Sequence, residues 1–169
     1  LESDNPRFIC AASQLRKIDP DHALDYDEII NDHLELFGGK GSAPAPPYSS
    51  VYMSKDHIMN DSVSMEVRKI YHAYGWKSTL EGKVPDDHLG VQLQFINLLL
   101  DKFIELDDDI CSKEISRDLV KYFESFINPW IRDWNSAMQK NAGSVFYKGI
   151  AYLITAGMED VYSTFKKIA

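Results

Sequence analysis

Four of the five histidines in this chain directly follow an aspartate: Asp21-His22, Asp32-His33, Asp56-His57 and Asp87-His88. Adjacent imidazole and carboxylate groups can bind a divalent metal, and such pairs occur in all-α metal-dependent phosphohydrolases. The spacing argues against that chemistry. No two histidines stand four residues apart, as a helical metal site needs. Most of the pairs fall in loops or at helix starts, where aspartate is a common cap. There is no Gly-rich phosphate loop, no Gly-x-Ser-x-Gly elbow and no cysteine–histidine pair in a catalytic context. Cys10 and Cys111 are single and far apart, so neither a disulfide framework nor a zinc site is expected, and a reducing, cytoplasmic setting follows. The sequence therefore assigns no catalytic residue, metal ligand or cofactor.

Two other stretches carry recognition chemistry. In KVPDDHLGVQLQFINLLLDKF (83–103), Asp86, Asp87 and His88 sit between Pro85 and the most apolar run of the chain. The spacing predicts that one aspartate there is the N-cap of the following helix, which is worth about 0.5–2 kcal/mol. A carboxylate in that place can also pair with the planar guanidinium of a basic partner. In PAPPYSSVYM (44–53), Tyr48 and Tyr52 stand beside Pro46 and Pro47, where no core periodicity requires them. This segment is either a loop covering the core or a peptide-docking edge, since rigid prolines and rings lose little entropy on binding.

The elements that must position these stretches are helices. Pro6 opens a helix over 6–17, closed before Asp19-Pro20. Tyr26, Ile30, Leu34 and Phe37 give 21–37 a helical period, ended by Gly38-Gly39. The Gly/Pro/Ser run that follows predicts a hinge loop at about 38–50, with APAPP extended as polyproline II. Further helices are predicted over 62–74, 87–105, 112–127, from Pro129 through Trp130, Trp134 and Met138, and over 144–168. The helix at 87–105 is apolar nearly all round, save a polar stripe of Gly90, Gln94, Asn97 and Asp101, and so belongs at the centre of a bundle. The expectation is an all-α single domain over 1–169, with six or seven helices around that central one.

Charge narrows the partners. Asp and Glu outnumber Lys and Arg by 26 to 18, a formal charge of -8 with no basic stripe. Such a surface repels nucleic acid and anionic lipid and attracts basic partners. The apolar run at 95–100 is too short to span a bilayer, so no membrane insertion is expected. No secretory leader is expected ahead of the fold, and the opening Leu1 rather than Met suits a segment of a longer chain.

In order and approximate spacing, "LFGG…PAPPYSSVYM", "VPDDHLGVQLQFINLLL", "INPW" and "FYKGIAYL" resemble the TorD/DmsD family of redox-enzyme maturation chaperones, most closely its DmsD-type members. The resemblance runs from about residue 24 to the end. It implies an all-helical protein that is not an enzyme and carries no cofactor. Such a protein binds the twin-arginine signal peptide of a molybdopterin-containing oxidoreductase in the cytoplasm until the cofactor is inserted, and the export machinery is a further partner. By position, the family's Pro-x-Asp-His signature falls on Pro85, Asp87 and His88, with Asp86 at its variable place. The Pro-Pro-aromatic segment falls on Pro46, Pro47 and Tyr48, continuing through Ser50, Val51 and Tyr52. The chain departs from the family at Val84, where Glu is usual, and at His33 and Glu35, where an aromatic residue and Arg are usual. A helical scaffold for some other partner is the alternative reading.

Overall fold

A computed structural model describes residues 3–16, 18, 26–38, 43–54 and 61–169. Among these residues eight α-helices run in the order α1 (Pro6–Arg16), α2 (Tyr26–Phe37), α3 (Ser49–Met53), α4 (Asp61–Ala73), α5 (Leu89–Glu105), α6 (Asp109–Tyr122), α7 (Ile131–Asn141) and α8 (Val145–Ile168). A π-helical turn, Phe123–Ile127, follows α6. Among the described residues there is no strand, only an isolated antiparallel bridge between Tyr48 and His88. The fold is all-α, as expected. Asp19-Pro20, the predicted helix start at 21–25, Gly39, His22 and His57 lie outside the described residues.

The chain forms two compact units, each built from separated segments. The first takes residues 1–46 and 132–161. Helix α2 forms as expected, but its apolar stripe is not its buried face. Tyr26, Ile30 and Leu34 are 64%, 56% and 54% exposed, while Asp32 and Leu36 are buried. The buried acid explains the reversal. Asp32 Oδ1 accepts the Gly143 amide at 2.9 Å, and Oδ2 accepts the Ser144 amide and hydroxyl at 3.0 and 2.5 Å, just before α8. Burial raises the Asp32 pKa, but the bonds from Ser144 and Gly143, with help from Lys148, outweigh it and hold the carboxyl below its usual value. In the same unit α1 lies against α8 at Gly149, where an added Cβ would stand 2.7 Å from Leu15 Cδ2.

The second unit takes residues 47–131 and 162–169, and α5 is its core. Leu89, Val91, Phe95, Ile96 and Leu99 are buried, whereas Gln94, Asn97 and Asp101 face solvent as the polar stripe requires. The Phe95 ring sits among Tyr71, Tyr74, Trp76 and Tyr122, with centroids 4.6–5.7 Å away. Replacing it with Ala would cost about 3–5 kcal/mol. Gly75, at φ 66, ends α4: its amide reaches the His72 carbonyl, and the Trp76 amide reaches that of Tyr71, both at 2.9 Å. A side chain at this left-handed position would be strained, so glycine sets the corner that aims Trp76 at Phe95.

The π turn has a local cause. Pro129 has no amide to give the Ser125 carbonyl, so the helix widens and the Asn128 amide bonds back to Phe123 at 2.8 Å. The Phe126 carbonyl is taken instead by the indole N–H of Trp130 at 2.6 Å, which fixes that ring in the core.

Candidate functional site

The start of α5 differs from the sequence expectation. Neither aspartate caps α5. The cap is His88, whose Nδ1 accepts the Gly90 amide at 3.0 Å. Accepting there requires Nδ1 to be unprotonated. Burial lowers the His88 pKa in the same direction, with Asp87 pulling weakly against it. Helix α5 accordingly starts at Leu89, two residues later than the spacing predicts.

Asp87 caps a different helix, one that the sequence reading missed. Its Oδ2 accepts the Ser50 amide at 2.9 Å, and its backbone carbonyl accepts the Ser49 amide at 3.2 Å. Those are the first two amides of α3, whose own flanking residue Tyr48 supplies no side-chain cap. A short helix inside a proline-rich loop thus forms because a carboxylate 37 residues away satisfies its amides. The Leu89 amide returns to the Pro47 carbonyl at 2.8 Å, completing the join between the two stretches.

Asp86 is also turned inward, with 1% exposure. Its Oδ2 accepts from Arg68 Nε at 2.5 Å, its amide donates to Ser64 Oγ at 2.9 Å, and its carbonyl accepts from the Tyr71 hydroxyl at 3.0 Å. Below it, Gln92 Nε2 donates to the Asp87 carbonyl at 2.8 Å, and the Tyr122 hydroxyl donates to Gln92 Oε1 at 3.2 Å. Burial pushes the phenols of Tyr71 and Tyr122 well above their usual range, so both remain neutral donors. Sequence reasoning missed Ser64, Arg68, Tyr71, Gln92 and Tyr122. The available signal was Gln92, an amide that lies off the polar stripe of an otherwise apolar helix.

The two predicted stretches therefore meet, and the structure sorts their residues by exposure. Ser50, Asp86 and Asp87 are buried; Pro47, Tyr48, Tyr52, Pro85 and His88 are half-buried. Pro46, also half-buried, is the last residue of the first unit's opening segment. The Tyr48 ring meets His88 edge-on at 5.1 Å, and its phenol is shifted upward by burial and then by Asp87. Tyr52 stacks on Trp130 with centroids 5.5 Å apart. Prolines, two phenols and an imidazole thus form a semi-exposed rim over a closed polar network. Glu81, three residues before Val84, has its Oε1 3.4 Å from His72 Nε2. His33 Nδ1 lies 3.0 Å from the Tyr147 hydroxyl in the first unit.

Among the described residues no group of three or more His, Cys, Asp or Glu is placed to hold a metal ion. No described helix is long and apolar enough to cross a membrane.

The family model for the nitrate reductase delta subunit matches residues 10–136. Chaperone protein TorD of Vibrio parahaemolyticus is 25% identical over 129 residues, covering 76% of this chain and 60% of that protein. Chaperone protein TorD of Photobacterium profundum is 27% identical over 115 residues, covering 68% and 51%. That of Vibrio cholerae is 33% identical over 69 residues, covering 41% and 31%. The matched region thus spans between about half and three-fifths of the length of the first two relatives. With a family model covering most of its length, the chain belongs to the nitrate reductase delta subunit family, the TorD/DmsD family that its sequence resembles.

Proposed function

We propose that this protein is a cytoplasmic chaperone, not an enzyme, and that it binds the twin-arginine leader of a molybdopterin-containing oxidoreductase until that client is ready for export. The observation that carries this reading is the join of the PAPPYSSVYM and PDDH stretches into one rim, in a chain whose relatives are named chaperones. A leader has a basic stretch followed by an apolar one. The apolar part finds its partners in Tyr48, Tyr52, Pro47, Pro85 and His88. Burying one Leu or Phe is worth about 1.5–3 kcal/mol, against roughly 0–1 for an exposed ion pair, so the rim supplies most of the affinity. Ser50, Asp86 and Asp87 act as positioning residues that hold the rim in shape.

The test is calorimetric titration with a synthetic leader peptide. The parent binds at about micromolar strength. Tyr48→Ala weakens binding about tenfold while moving the melting temperature by only a few degrees, since the ring is half-buried at the rim. Absence of binding by the parent refutes the reading, and equal loss of stability and affinity makes Tyr48 a packing residue.

A further inference from the structure

Ile104 and Ile110 are 77% and 72% exposed, more than any other large apolar side chain described. They occupy the last turn of α5 and the first turn of α6, joined by residues 106–108, where Leu106 is also 38% exposed. From Asp101 to Glu114 the chain carries six acidic residues against Lys102 and Lys113, so fourteen residues hold a net -4 of the total -8. The carbonyl end of α5 and the amide end of α6 meet at this corner and offset one another, so the carboxylates set its potential.

Local structure explains part of this. Asp108 Oδ1 accepts the Ile110 and Cys111 amides at 2.9 and 2.8 Å and caps α6, and Asp101 Oδ2 accepts from Asn97 at 2.8 Å. The first turn of α6 also favours the carboxylate of Asp109, but nothing local explains the two isoleucines in water or the exposed Asp107 beside them. Exposed apolar surface rimmed by one sign of charge marks a docking site for a chain of the opposite sign. The charge disfavours anionic lipid, nucleic acid and another acidic surface such as the same corner of a second copy.

We propose that this corner docks the basic end of the client's leader, with arginine guanidiniums on Asp107 and Asp109 and the neighbouring apolar side chains over Ile104 and Ile110. The proposal rests on the leader-binding reading and adds a second surface to it. Helix α5 has 17 residues and is about 25 Å long, so the corner stands about that far from His88. About eight extended peptide residues cover such a distance. Asp86 and Asp87 are spent on Arg68 and α3, and the corner supplies the carboxylates that the rim does not expose.

The experiment is calorimetric titration at low salt and at about 0.3 M salt, where screening is strong. The probes are a synthetic peptide of two consecutive arginines followed by a Leu/Ala/Phe-rich stretch, and the same peptide with glutamines for the arginines. The double variant Asp107→Asn/Asp109→Asn is expected to weaken arginine-peptide binding about threefold to tenfold at low salt and less at high salt. It should bind the glutamine peptide as the parent does. Ile104→Ser/Ile110→Ser should weaken both peptides about fivefold. Both variants should melt within about 2 °C of the parent, as their side chains are exposed. If either double variant binds the arginine peptide as tightly as the parent, the corner is not the docking surface, while leader binding at the rim stands. If the parent binds neither peptide, both readings fall together.

Discussion

Asp87→Ala is the sharpest perturbation of the candidate site, because it separates what the carboxylate does from what the backbone beside it does. The Asp87 carbonyl still receives the Ser49 amide and Gln92 in the variant, so only Oδ2 is lost. Ser50 is 1% exposed, and its amide is left in a dry place without an acceptor. An unsatisfied buried donor costs about 1–3 kcal/mol, and the small void left by a side chain 1% exposed places the total near the upper end, about 2–3 kcal/mol. For a chain of this size each kcal/mol moves the melting temperature by about 2–4 °C, so a fall of about 4–12 °C is expected. Asp87→Asn retains an acceptor oxygen and should cost about 1 kcal/mol or less.

Scanning calorimetry of the parent and both variants measures this, and amide exchange at Ser50 reports the same bond directly. A further readout comes from His88. Asp87 raises the His88 pKa against the stronger lowering by burial, so removing the charge in Asp87→Asn should lower it further in an NMR titration. Equal melting of the Asn and Ala variants would show that Asp87 does not hold α3 through its carboxylate, and an unchanged His88 would show that its charge is not felt there.

Three other outcomes are expected. The lowered Asp32 pKa means that its contribution to stability is complete above the ordinary value of 3.8 and is lost as pH falls through the lower native value; acid unfolding of Asp32→Asn should lack that step. His88 also has a lowered pKa, so the unfolded chain takes up its proton first and stability should decline as pH falls below 6.5; His88→Asn, which keeps a capping oxygen, should flatten melting temperature against pH there. Gly149→Ala should destabilise by about 1 kcal/mol, the crowding against Leu15 exceeding the gain in helix propensity. In a Leu15→Ala background the same change should become neutral or stabilising, a coupling that denaturant titration of the four-member cycle measures.

What the sequence made legible follows from which forces act locally. Proline and glycine act on their own backbone, and Pro6, Gly75 and Pro129 mark real boundaries. The apolar wrap of α5 placed it at a core because burial dominates such a helix. What escaped depends on partners distant in sequence. The stripe of Tyr26, Ile30 and Leu34 has a helical period, yet the buried face of α2 is chosen by Asp32, whose donors lie 111 and 112 residues away. Asp86 and Asp87 carried a correct chemical signal, since a carboxylate does meet helix amides, but the helix was α3 and not α5. No local pattern distinguishes those two uses of one side chain. The PPYSSVY and PDDH stretches were each visible, and only the fold shows that the first is bonded to the second.

The separation of Asp32 from its donors also bears on how the protein is made. Residues 1–46 belong to a unit that needs residues 132–161, and the other unit draws on residues 162–169. At a synthesis rate of roughly 5–20 residues per second, about 6–22 s pass between the appearance of Asp32 and that of Ser144. During that interval α2 carries a carboxylate with no donors and cannot settle its buried face. The first unit therefore cannot close until residues 132–161 have emerged, so its opening segment waits while the stretch 47–131 of the other unit is made.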